Sequence, residues 1–171
     1  AGTSAGEFGE TFVVVSGDAL TDVDIRNLIA FHKEKGALAT IALHRVYDTS
    51  EFGVVEVDED GNIQGFQEKP SPEEAISTLA NTGIYIFEPR ALDYIPEGTF
   101  FDFAEDVFPK LLENGEQFVG YQEDFYWSDI GTLAAYRQAQ YDVLSGKVGV
   151  KIPGEKRGEG LRHGRCGADG K

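Results

Sequence analysis

The feature that most constrains the fold is the run Phe12–Val15, an unbroken apolar stretch rich in β-branched residues that ends at Ser16-Gly17-Asp18. Such a run is typical of a strand that is buried on both faces, as in a parallel sheet. Ligands of open α/β sheets bind beyond the carboxyl ends of the strands. We therefore predict that Asp18 lies at the tip of a central strand, where its carboxylate either holds a metal ion against a phosphate or closes a turn.

Composition and charge limit the class of protein. The chain has 171 residues, of which 41% are hydrophobic, and this indicates one globular domain with a substantial core. A formal net charge of -15 argues against nucleic acid and anionic membranes as partners, whereas Mg²⁺ can still bridge a phosphorylated small molecule to carboxylates. The single cysteine, Cys166, excludes a disulfide framework. No long apolar run and no signal peptide are found, so we expect a cytoplasmic protein.

The first 46 residues predict a strand, a helix and a second strand. Apolar residues recur at helical spacing from Ile25, with Thr21-Asp22 as the expected N-terminal cap and Gly36 as the C-terminal cap. The range 37–46 then alternates loosely and predicts another buried strand. This order is typical of a βαβ unit.

A β-hairpin is predicted over residues 52–70, with its turn at Asp60-Gly61. The return strand ends at Glu68-Lys69-Pro70, and the proline predicts an extended conformation for Lys69. The Lys69 ammonium suits a phosphate and the Glu68 carboxylate suits hydroxyl groups, although two solvated charges at a strand end are the simpler interpretation of these residues taken alone.

The second half of the chain continues to alternate strands and helices. A strand is predicted over 81–87, in which Gly83 marks either the close approach of a ligand or a bulge. A helix over 102–114 should break at Pro109, and a short strand should follow over 117–121.

An unusual junction, Trp127-Ser128-Asp129, precedes a helix predicted over 133–144, whose buried side should carry Leu133, Tyr136 and Val143. Asp129 is either a turn cap or a second metal carboxylate. The histidines at positions 32, 44 and 163 show no ligand spacing and are interpreted as packing or surface residues.

Five motifs follow one another in order: V-V-V-S-G-D, F-G-V-V, Q-E-K-P, N-T-G-I-Y-I-F and W-S-D-I-G-T. Together they resemble the sugar-phosphate nucleotidyltransferases, above all the bacterial mannose-1-phosphate guanylyltransferase and glucose-1-phosphate nucleotidyltransferase group. The resemblance covers about residues 11–154. It implies an α/β fold of the Rossmann-like, three-layer nucleotide-diphospho-sugar transferase type, with a mostly parallel sheet and a smaller antiparallel hairpin region.

The resemblance also implies an activity. The family joins a nucleoside triphosphate to a sugar 1-phosphate and releases pyrophosphate. Asp18 and Asp129 match its two metal carboxylates and would hold Mg²⁺, and with Lys69 they are the expected catalytic residues. This chemistry depends mainly on positioning and charge neutralisation, which two carboxylates, one Mg²⁺ and one lysine can supply.

The expected substrate-binding residues also come from the resemblance. The E-K-P motif would contact the sugar hydroxyls and the sugar phosphate, while the F-G-V-V and N-T-G motifs would line the sugar pocket. These residues are Gly53, Glu68, Lys69, Asn81, Thr82 and Gly83.

One departure from the family concerns the triphosphate. The family opens with a loop G-x-G-T-R-L followed by P-K-P, and no such stretch occurs in this sequence. We therefore expect an N-terminally truncated domain, with residues 1–10 as a loop or cut end. Residues 11–146 would form the sugar-binding part, and 147–171 a strand-like linker and a flexible, Gly-rich tail.

The residues of the N-T-G-I-Y-I-F and D-I-G segments favour GTP and mannose 1-phosphate as substrates, giving GDP-mannose. Alternatives are a glucose-1-phosphate thymidylyl- or uridylyltransferase and a non-catalytic nucleotide-sugar-binding regulatory domain. A glycosyltransferase, suggested by Asp22-Val23-Asp24, ranks lower because it would leave the E-K-P motif without a role. The expected partners are an NTP and a sugar 1-phosphate, with no nucleic acid and no membrane, and a homo-oligomer is left open.

Overall fold

The computed structural model describes residues 9–95, 98, 100–151, 155–157 and 160–162. Its strands are β1 (Phe12–Val15), β2 (Ala19–Thr21), β3 (Ala39–Arg45), β4 (Gly53–Val57), β5 (Ile63–Glu68), β6 (Leu79–Phe87), β7 (Phe118–Tyr121), β8 (Trp127–Asp129), β9 (Glu155–Arg157) and β10 (Gly160–Arg162). The α-helices are α1 (Ile25–Lys35), α2 (Phe108–Glu113) and α3 (Leu133–Ser145), and a 3₁₀ helix spans Pro89–Tyr94.

A six-stranded central sheet has the order β5-β4-β6-β3-β7, and β1 also pairs with β6. Helices cover both of its faces. Helix α1 packs on one face through Leu28, against a cluster that includes Ile84 and Ile86. On the other face, α2 contributes Phe108 and Leu111 to the larger apolar cluster. The α/β class and the three-layer arrangement are thereby confirmed.

The strand directions differ from the mostly parallel sheet that we expected. Among the described strands, β3 and β7 are parallel, whereas the β1–β6, β3–β6, β4–β5 and β4–β6 pairs are antiparallel. Strand β6 therefore lies between β1 and β3, so the predicted βαβ unit has an antiparallel strand inserted into it. Apolar patterning predicts burial of a strand but does not encode the direction of its neighbour.

Strand β1 is not buried on both faces as predicted. Phe12 and Val14 pack on the larger apolar cluster, while Val13 and Val15 are 38% and 53% exposed in the described structure. A run of β-branched residues is equally compatible with a half-covered strand, because β propensity measures how well a side chain fits a pleated, half-buried surface.

Helix α1 has the predicted span, and its C-terminal cap, Gly36, is confirmed. Its N-terminal cap is Asp24, whose side chain accepts a hydrogen bond from the backbone N–H of Arg26, so the predicted cap at Thr21-Asp22 is wrong. Thr21 instead belongs to β2, and Asp22 accepts hydrogen bonds from the backbone N–H groups of Tyr126 and Gly149.

The helix predicted over 102–114 forms as two pieces. A π-helical turn over Phe103–Val107 precedes α2, and Pro109 lies in the first turn of α2, which confirms the predicted break. Proline has no N–H to donate, so a regular helix cannot continue through it.

Helix α3 is confirmed, and Val143 on its predicted buried side is half-buried, but the other two residues predicted there are exposed. Leu133 and Tyr136 are 77% and 52% exposed, while Ala139 and Asp142 are the buried residues of this helix.

The segment after α3 differs from the prediction in two respects. Residues 147–151, the described part of the strand-like linker, contain no strand. Two short strands, β9 and β10, pair antiparallel within the range expected to be a flexible tail. Residues 1–8 and His163 lie outside the described residues. Within the described part of the chain, no helix is long and apolar enough to cross a membrane.

Candidate active site

A polar cleft opens where β1, β6 and the small β2–β8 sheet meet. Its volume is about 230 Å³. Six of the expected site residues line it, namely Asp18, Gly53, Asn81, Thr82, Gly83 and Asp129. Residues far apart in the sequence therefore converge on one cavity.

The two aspartates are brought together by the β2–β8 sheet. Strands β2 and β8 pair antiparallel, with Ala19 opposite Asp129. The backbone N–H of Ile130 donates to the carbonyl of Asp18 over 2.9 Å, which fixes the adjoining residues. Asp18 also accepts a hydrogen bond of 2.5 Å from the hydroxyl of Ser16. Both aspartates thus lie on one wall of the cleft.

The cleft is acidic. Its described lining includes the carboxylates of Asp18, Glu51 and Asp129, and no lysine or arginine is among these described residues. A phosphate bound here would need a positive counter-charge, which a divalent cation provides.

The residues present fit a magnesium ion. Carboxylate oxygens are the hard ligands that Mg²⁺ prefers, and Mg²⁺ is usually held by one or two carboxylates with water and substrate phosphates completing its coordination. No cluster of three or more metal-ligating side chains occurs within the described residues. Asp18 and Asp129 therefore match a substrate-bridging magnesium site better than a closed structural site.

Strand β6 crosses the floor of the cleft with a bulge. The β3–β6 register shifts between Ile41 and Leu43, and Gly83 has a φ of 74°. The side-chain oxygen of Asn81 accepts a hydrogen bond from the backbone N–H of Gly83 over 3.0 Å, which closes the bulge. A side chain at Gly83 would lie 2.8 Å from Cβ of Ser16. The bulge interpretation of Gly83 is therefore confirmed, whereas the close approach of a ligand stays a prediction for a residue that lines the cavity.

Thr82 contributes to the site differently from its neighbours. It is only 2% exposed, and its hydroxyl donates to the carbonyl of Ala42 over 2.7 Å. Its own carbonyl accepts a hydrogen bond from Nε1 of Trp127. Since the hydroxyl is already used within the core, the geometry favours a structural contact over a direct contact with substrate.

Glu68 and Lys69 lie at the end of β5, next to the cleft. Glu68 pairs with Gly53 across the β4–β5 hairpin and lines an adjoining pocket of about 210 Å³, which shares Gly53 and Asn81 with the cleft. Lys69 does not line either cavity, and its Nζ lies 3.7 Å from Oε1 of Glu68. Both side chains are mostly exposed, so this ion pair adds little to stability.

The prediction of an extended Lys69 is wrong. Its φ is 43°, in the left-handed region, and its backbone N–H donates to the carbonyl of Phe52 over 3.1 Å. The contact with the strand opposite outweighs the local preference that Pro70 imposes.

Some of the residues that line the cleft were given no role by the sequence analysis. Phe52 and Trp127 pack edge-to-face, with ring centroids 5.3 Å apart, on the side of the cleft nearest Gly53. Ser16 and Glu51 also line the cavity. Trp127 and Ser16 each precede a site aspartate by two residues. This spacing is the sequence signal that could have identified them as cleft residues.

His44 lies behind this wall, with its ring centroid 5.8 Å from that of Trp127 and 5.5 Å from that of Phe125. Burial lowers the pKa of His44, and the nearby Asp124 opposes this shift only in part. The imidazole therefore tends to be neutral at pH 7. His32 and His44 both pack within the structure, as predicted.

Comparison with known proteins identifies relatives over most of the chain. Residues 3–146 match the model of the family described as nucleotidyl transferase. A UTP–glucose-1-phosphate uridylyltransferase of Synechocystis sp. is 50% identical over 150 residues, which cover 86% of this chain and 39% of the relative. A glucose-1-phosphate adenylyltransferase of Clostridioides difficile is 37% identical over 144 residues, covering 79% of this chain and 37% of the relative. The chain thus spans about two fifths of the length of these curated relatives.

Solved structures agree on the fold. A protein described as a glucose-1-phosphate thymidylyltransferase from Bacillus anthracis, in complex with sucrose, superposes with a TM-score of 0.69 at 25% identity, covering 85% of this chain and 58% of that one. An apo UDP-glucose pyrophosphorylase superposes with a TM-score of 0.66 at 23% identity, covering 84% of this chain and 57% of that one. These relatives are named for glucose and not for mannose, so they do not support the sequence-based preference for mannose and GTP.

Proposed function

The chain belongs to the sugar-phosphate nucleotidyltransferase family, and from this premise we propose that it forms the sugar-phosphate side of the active site of a Mg²⁺-dependent glucose-1-phosphate nucleotidyltransferase. UTP is the proposed nucleotide, because the relative that is 50% identical is named as a uridylyltransferase. The observation that carries the proposal is the convergence of Asp18, Asn81, Gly83 and Asp129 on one acidic cleft.

The proposed reaction is an in-line displacement. A phosphate oxygen of glucose 1-phosphate attacks the α-phosphorus of the nucleotide, the bond to the β-phosphate breaks, and pyrophosphate leaves. Asp18 and Asp129 would hold Mg²⁺, which would supply neutralisation of charge on the phosphates. Little acid–base chemistry is needed, so the work of the protein is positioning and charge neutralisation.

The remaining roles follow from position. Asn81 and the backbone of Gly53 and Gly83 would contact the sugar, because they line the cleft and leave room for a ligand there. Glu68 would accept hydrogen bonds from sugar hydroxyls at the boundary with the adjoining pocket. Lys69, with its exposed ammonium, would turn from Glu68 to the sugar phosphate when that phosphate is present.

The test is a product assay over the four nucleoside triphosphates with glucose 1-phosphate or mannose 1-phosphate, in Mg²⁺ and in EDTA. In a protein that carries this chain together with the triphosphate-binding loop, we expect UDP-glucose from UTP and glucose 1-phosphate, with the yield abolished by EDTA. Asp129→Asn should lower kcat by roughly two orders of magnitude or more, since a charge at the reacting centre is lost. Asp93→Asn is the matched control, because Asp93 is exposed and lies outside the cleft.

Two results would count against this proposal. Full activity of Asp129→Asn would remove the aspartate from the catalytic machinery. Binding of UDP-glucose in calorimetry, with no turnover of any substrate pair, would favour the alternative of a non-catalytic nucleotide-sugar-binding domain.

A further inference from the structure

The two site aspartates are tethered to the same point of the sheet. The backbone N–H of Ser16 donates to the carbonyl of Gly83 over 2.8 Å, and Nε1 of Trp127 donates to the carbonyl of Thr82 over 3.1 Å. Ser16 precedes Asp18 by two residues, and Trp127 precedes Asp129 by two residues. Successive carbonyls of the β6 bulge therefore hold the two segments that carry the carboxylates.

The bulge is itself anchored from the core side. The hydroxyl of Thr82 donates to the carbonyl of Ala42 over 2.7 Å, and both residues are almost fully buried. At this point the β3–β6 ladder is interrupted by the register shift. The side chain of Thr82 thus supplies a link between β3 and β6 where the regular ladder does not continue.

Close packing restricts the bulge further. The contact between Gly83 and Ser16 leaves no room for a side chain at position 83, since a Cβ there would lie 2.8 Å from Cβ of Ser16. The bulge therefore cannot slide along β1 without breaking the hydrogen bond to Ser16.

We propose that the Thr82–Gly83 bulge sets the separation of Asp18 and Asp129, and that Thr82 and Trp127 are positioning residues for the divalent cation between them. This inference rests on the proposed function only in assigning the cation to the two aspartates. Thr82, which the family resemblance places among the substrate-binding residues, then acts through Trp127 and not on the sugar. Loss of the Thr82 hydroxyl should move the Trp127–Asp129 strand and weaken cation binding.

The first arm of the test measures the contact itself and needs no substrate. Trp127 is the single tryptophan of the chain, so its indole N–H gives an unambiguous signal in ¹H–¹⁵N NMR spectra. In the native protein, exchange of this proton with solvent should be slowed at least tenfold relative to a free indole. Thr82→Val keeps the volume but removes the hydroxyl, and should reduce this protection and shift the amide signals of residues 127–129. Thr82→Ser keeps the hydroxyl and should behave like the native protein.

The matched control is Thr40→Val. Thr40 is likewise fully buried and its hydroxyl is also used in a hydrogen bond, with His32, but it lies outside the cleft lining. Its substitution should change stability to a similar degree and leave the indole signal in place. An unprotected indole in the native protein, or an unchanged one in Thr82→Val, overturns the proposal.

The second arm measures Mn²⁺ binding by electron paramagnetic resonance, with Mn²⁺ as a probe for Mg²⁺. Thr82→Val and Trp127→Phe should each weaken Mn²⁺ affinity at least fivefold, whereas Thr82→Ser and Thr40→Val should not. Asp129→Asn should remove the site. Native affinity in Thr82→Val and Trp127→Phe, together with loss of binding in Asp129→Asn, overturns the positioning role while leaving the metal assignment intact.

The two proposals fail in different ways. If the native protein binds no Mn²⁺, or if Asp129→Asn binds it normally, the metal assignment of the proposed function is wrong. The indole exchange then decides separately whether the bulge holds the Asp129 strand in place. If Thr82→Val instead raises the KM for glucose 1-phosphate with no effect on Mn²⁺ affinity or on the indole, Thr82 is a substrate ligand and the positioning proposal is overturned.

Discussion

His32 is almost completely buried, with 1% of its surface exposed, and its ring nitrogens lie 2.7 Å from Oγ1 of Thr40 and 3.2 Å from Oε1 of Glu88. Burial lowers the pKa of His32 from its ordinary value of 6.5, and the contact with Glu88 opposes this shift only in part. The unfolded chain therefore takes up this proton at a higher pH than the folded chain does.

The pH dependence of stability follows from that direction. The contribution of neutral His32 is fully present above about pH 6.5 and is lost as the pH falls toward the lower pKa of the folded state. Urea unfolding at pH 7.5 and at pH 5.0 should show a larger loss of stability in the native protein than in His32→Gln. Because His44 and His163 remain in both proteins, the difference isolates His32. Equal losses in the two proteins would contradict this assignment.

Gly83 combines two constraints that a substitution would violate. Its φ of 74° disfavours any side chain by about 1–2 kcal/mol, and an added Cβ would also lie 2.8 Å from Cβ of Ser16. Gly146 is a matched control, because its φ is 79° and no atom lies within 4 Å of a Cβ placed there. Gly83→Ala should lower the free energy of unfolding by clearly more than Gly146→Ala in urea titrations. Equal effects would show that Ser16 moves aside freely.

Predictions made from neighbouring residues were wrong at positions whose hydrogen-bond partners are distant in the sequence. Asp22 follows a threonine before a helix and was predicted to cap it, yet its carboxylate is engaged by the backbone N–H groups of Tyr126 and Gly149. Lys69 precedes a proline and was predicted to be extended, yet it pairs with Phe52 in a left-handed conformation. In both cases a tertiary hydrogen bond outweighs a preference set by the nearest neighbours, and spacing along the chain does not record such partners.

Among the elements, α3 is joined to a neighbouring segment by one buried polar residue. Asp142 is buried and accepts hydrogen bonds from the hydroxyl of Tyr126 over 2.9 Å and from Nζ of Lys147 over 2.7 Å. The lysine contact lowers the pKa of Asp142 and keeps it ionised. The helix is thereby fastened to the segment that leads into β8 and Asp129.

Removal of the Tyr126 hydroxyl should therefore loosen α3. Hydrogen bonds to charged groups contribute about 1.5–3 kcal/mol, so Tyr126→Phe should lower stability by an amount in this range and speed amide exchange in α3. Tyr136→Phe is the control, since Tyr136 lies on the same helix and is 52% exposed. If the two variants have equal stability and exchange, the bond to Asp142 does not hold the helix.

The sequence predicted elements better than their arrangement. Helix α1 and the hairpin at Asp60-Gly61 were recoverable because helical periodicity, a C-terminal glycine cap and turn residues are local signals. The direction of β6 between β1 and β3 was not, because β-branched runs suit parallel and antiparallel neighbours alike. The buried side of α3 was wrong in part, because Leu133 and Tyr136 follow helical periodicity without facing the core.

At the scale of the whole molecule, the candidate site was predictable only through the resemblance. No local pattern joins Asp18 to Asp129, which are more than a hundred residues apart, but the ordered motifs do, and the structure places both on one cleft. The same motifs did not separate residues that face the cleft from residues that hold it. Thr82 and Trp127 hold the cleft, because each side chain donates a hydrogen bond to a backbone carbonyl of a buried residue. The sequence alone does not specify these hydrogen bonds.

The net charge of -15 sets the background against which a magnesium site must be detected. A strongly acidic surface attracts divalent cations without binding them at one site. Any added salt also weakens the repulsion between the negative charges of the protein, since the screening length is only about 8 Å at physiological ionic strength. A rise in melting temperature on adding Mg²⁺ is therefore not evidence of a site by itself. The part of this rise that comes from diffuse attraction of Mg²⁺ should depend on the number of negative charges. It should not depend on which carboxylates carry them.

Two double variants separate the diffuse effect from the site. Asp18→Asn/Asp129→Asn and Asp60→Asn/Asp93→Asn each remove two negative charges, but only the first pair lies in the cleft. At constant ionic strength, we expect Mg²⁺ to raise the melting temperature of the native protein and of the Asp60/Asp93 variant. The Asp18/Asp129 variant should lose most of this rise, because a ligand stabilises only through the sites that the folded state offers. Equal rises in both variants would mean that Mg²⁺ is held by the overall field and not by these two carboxylates.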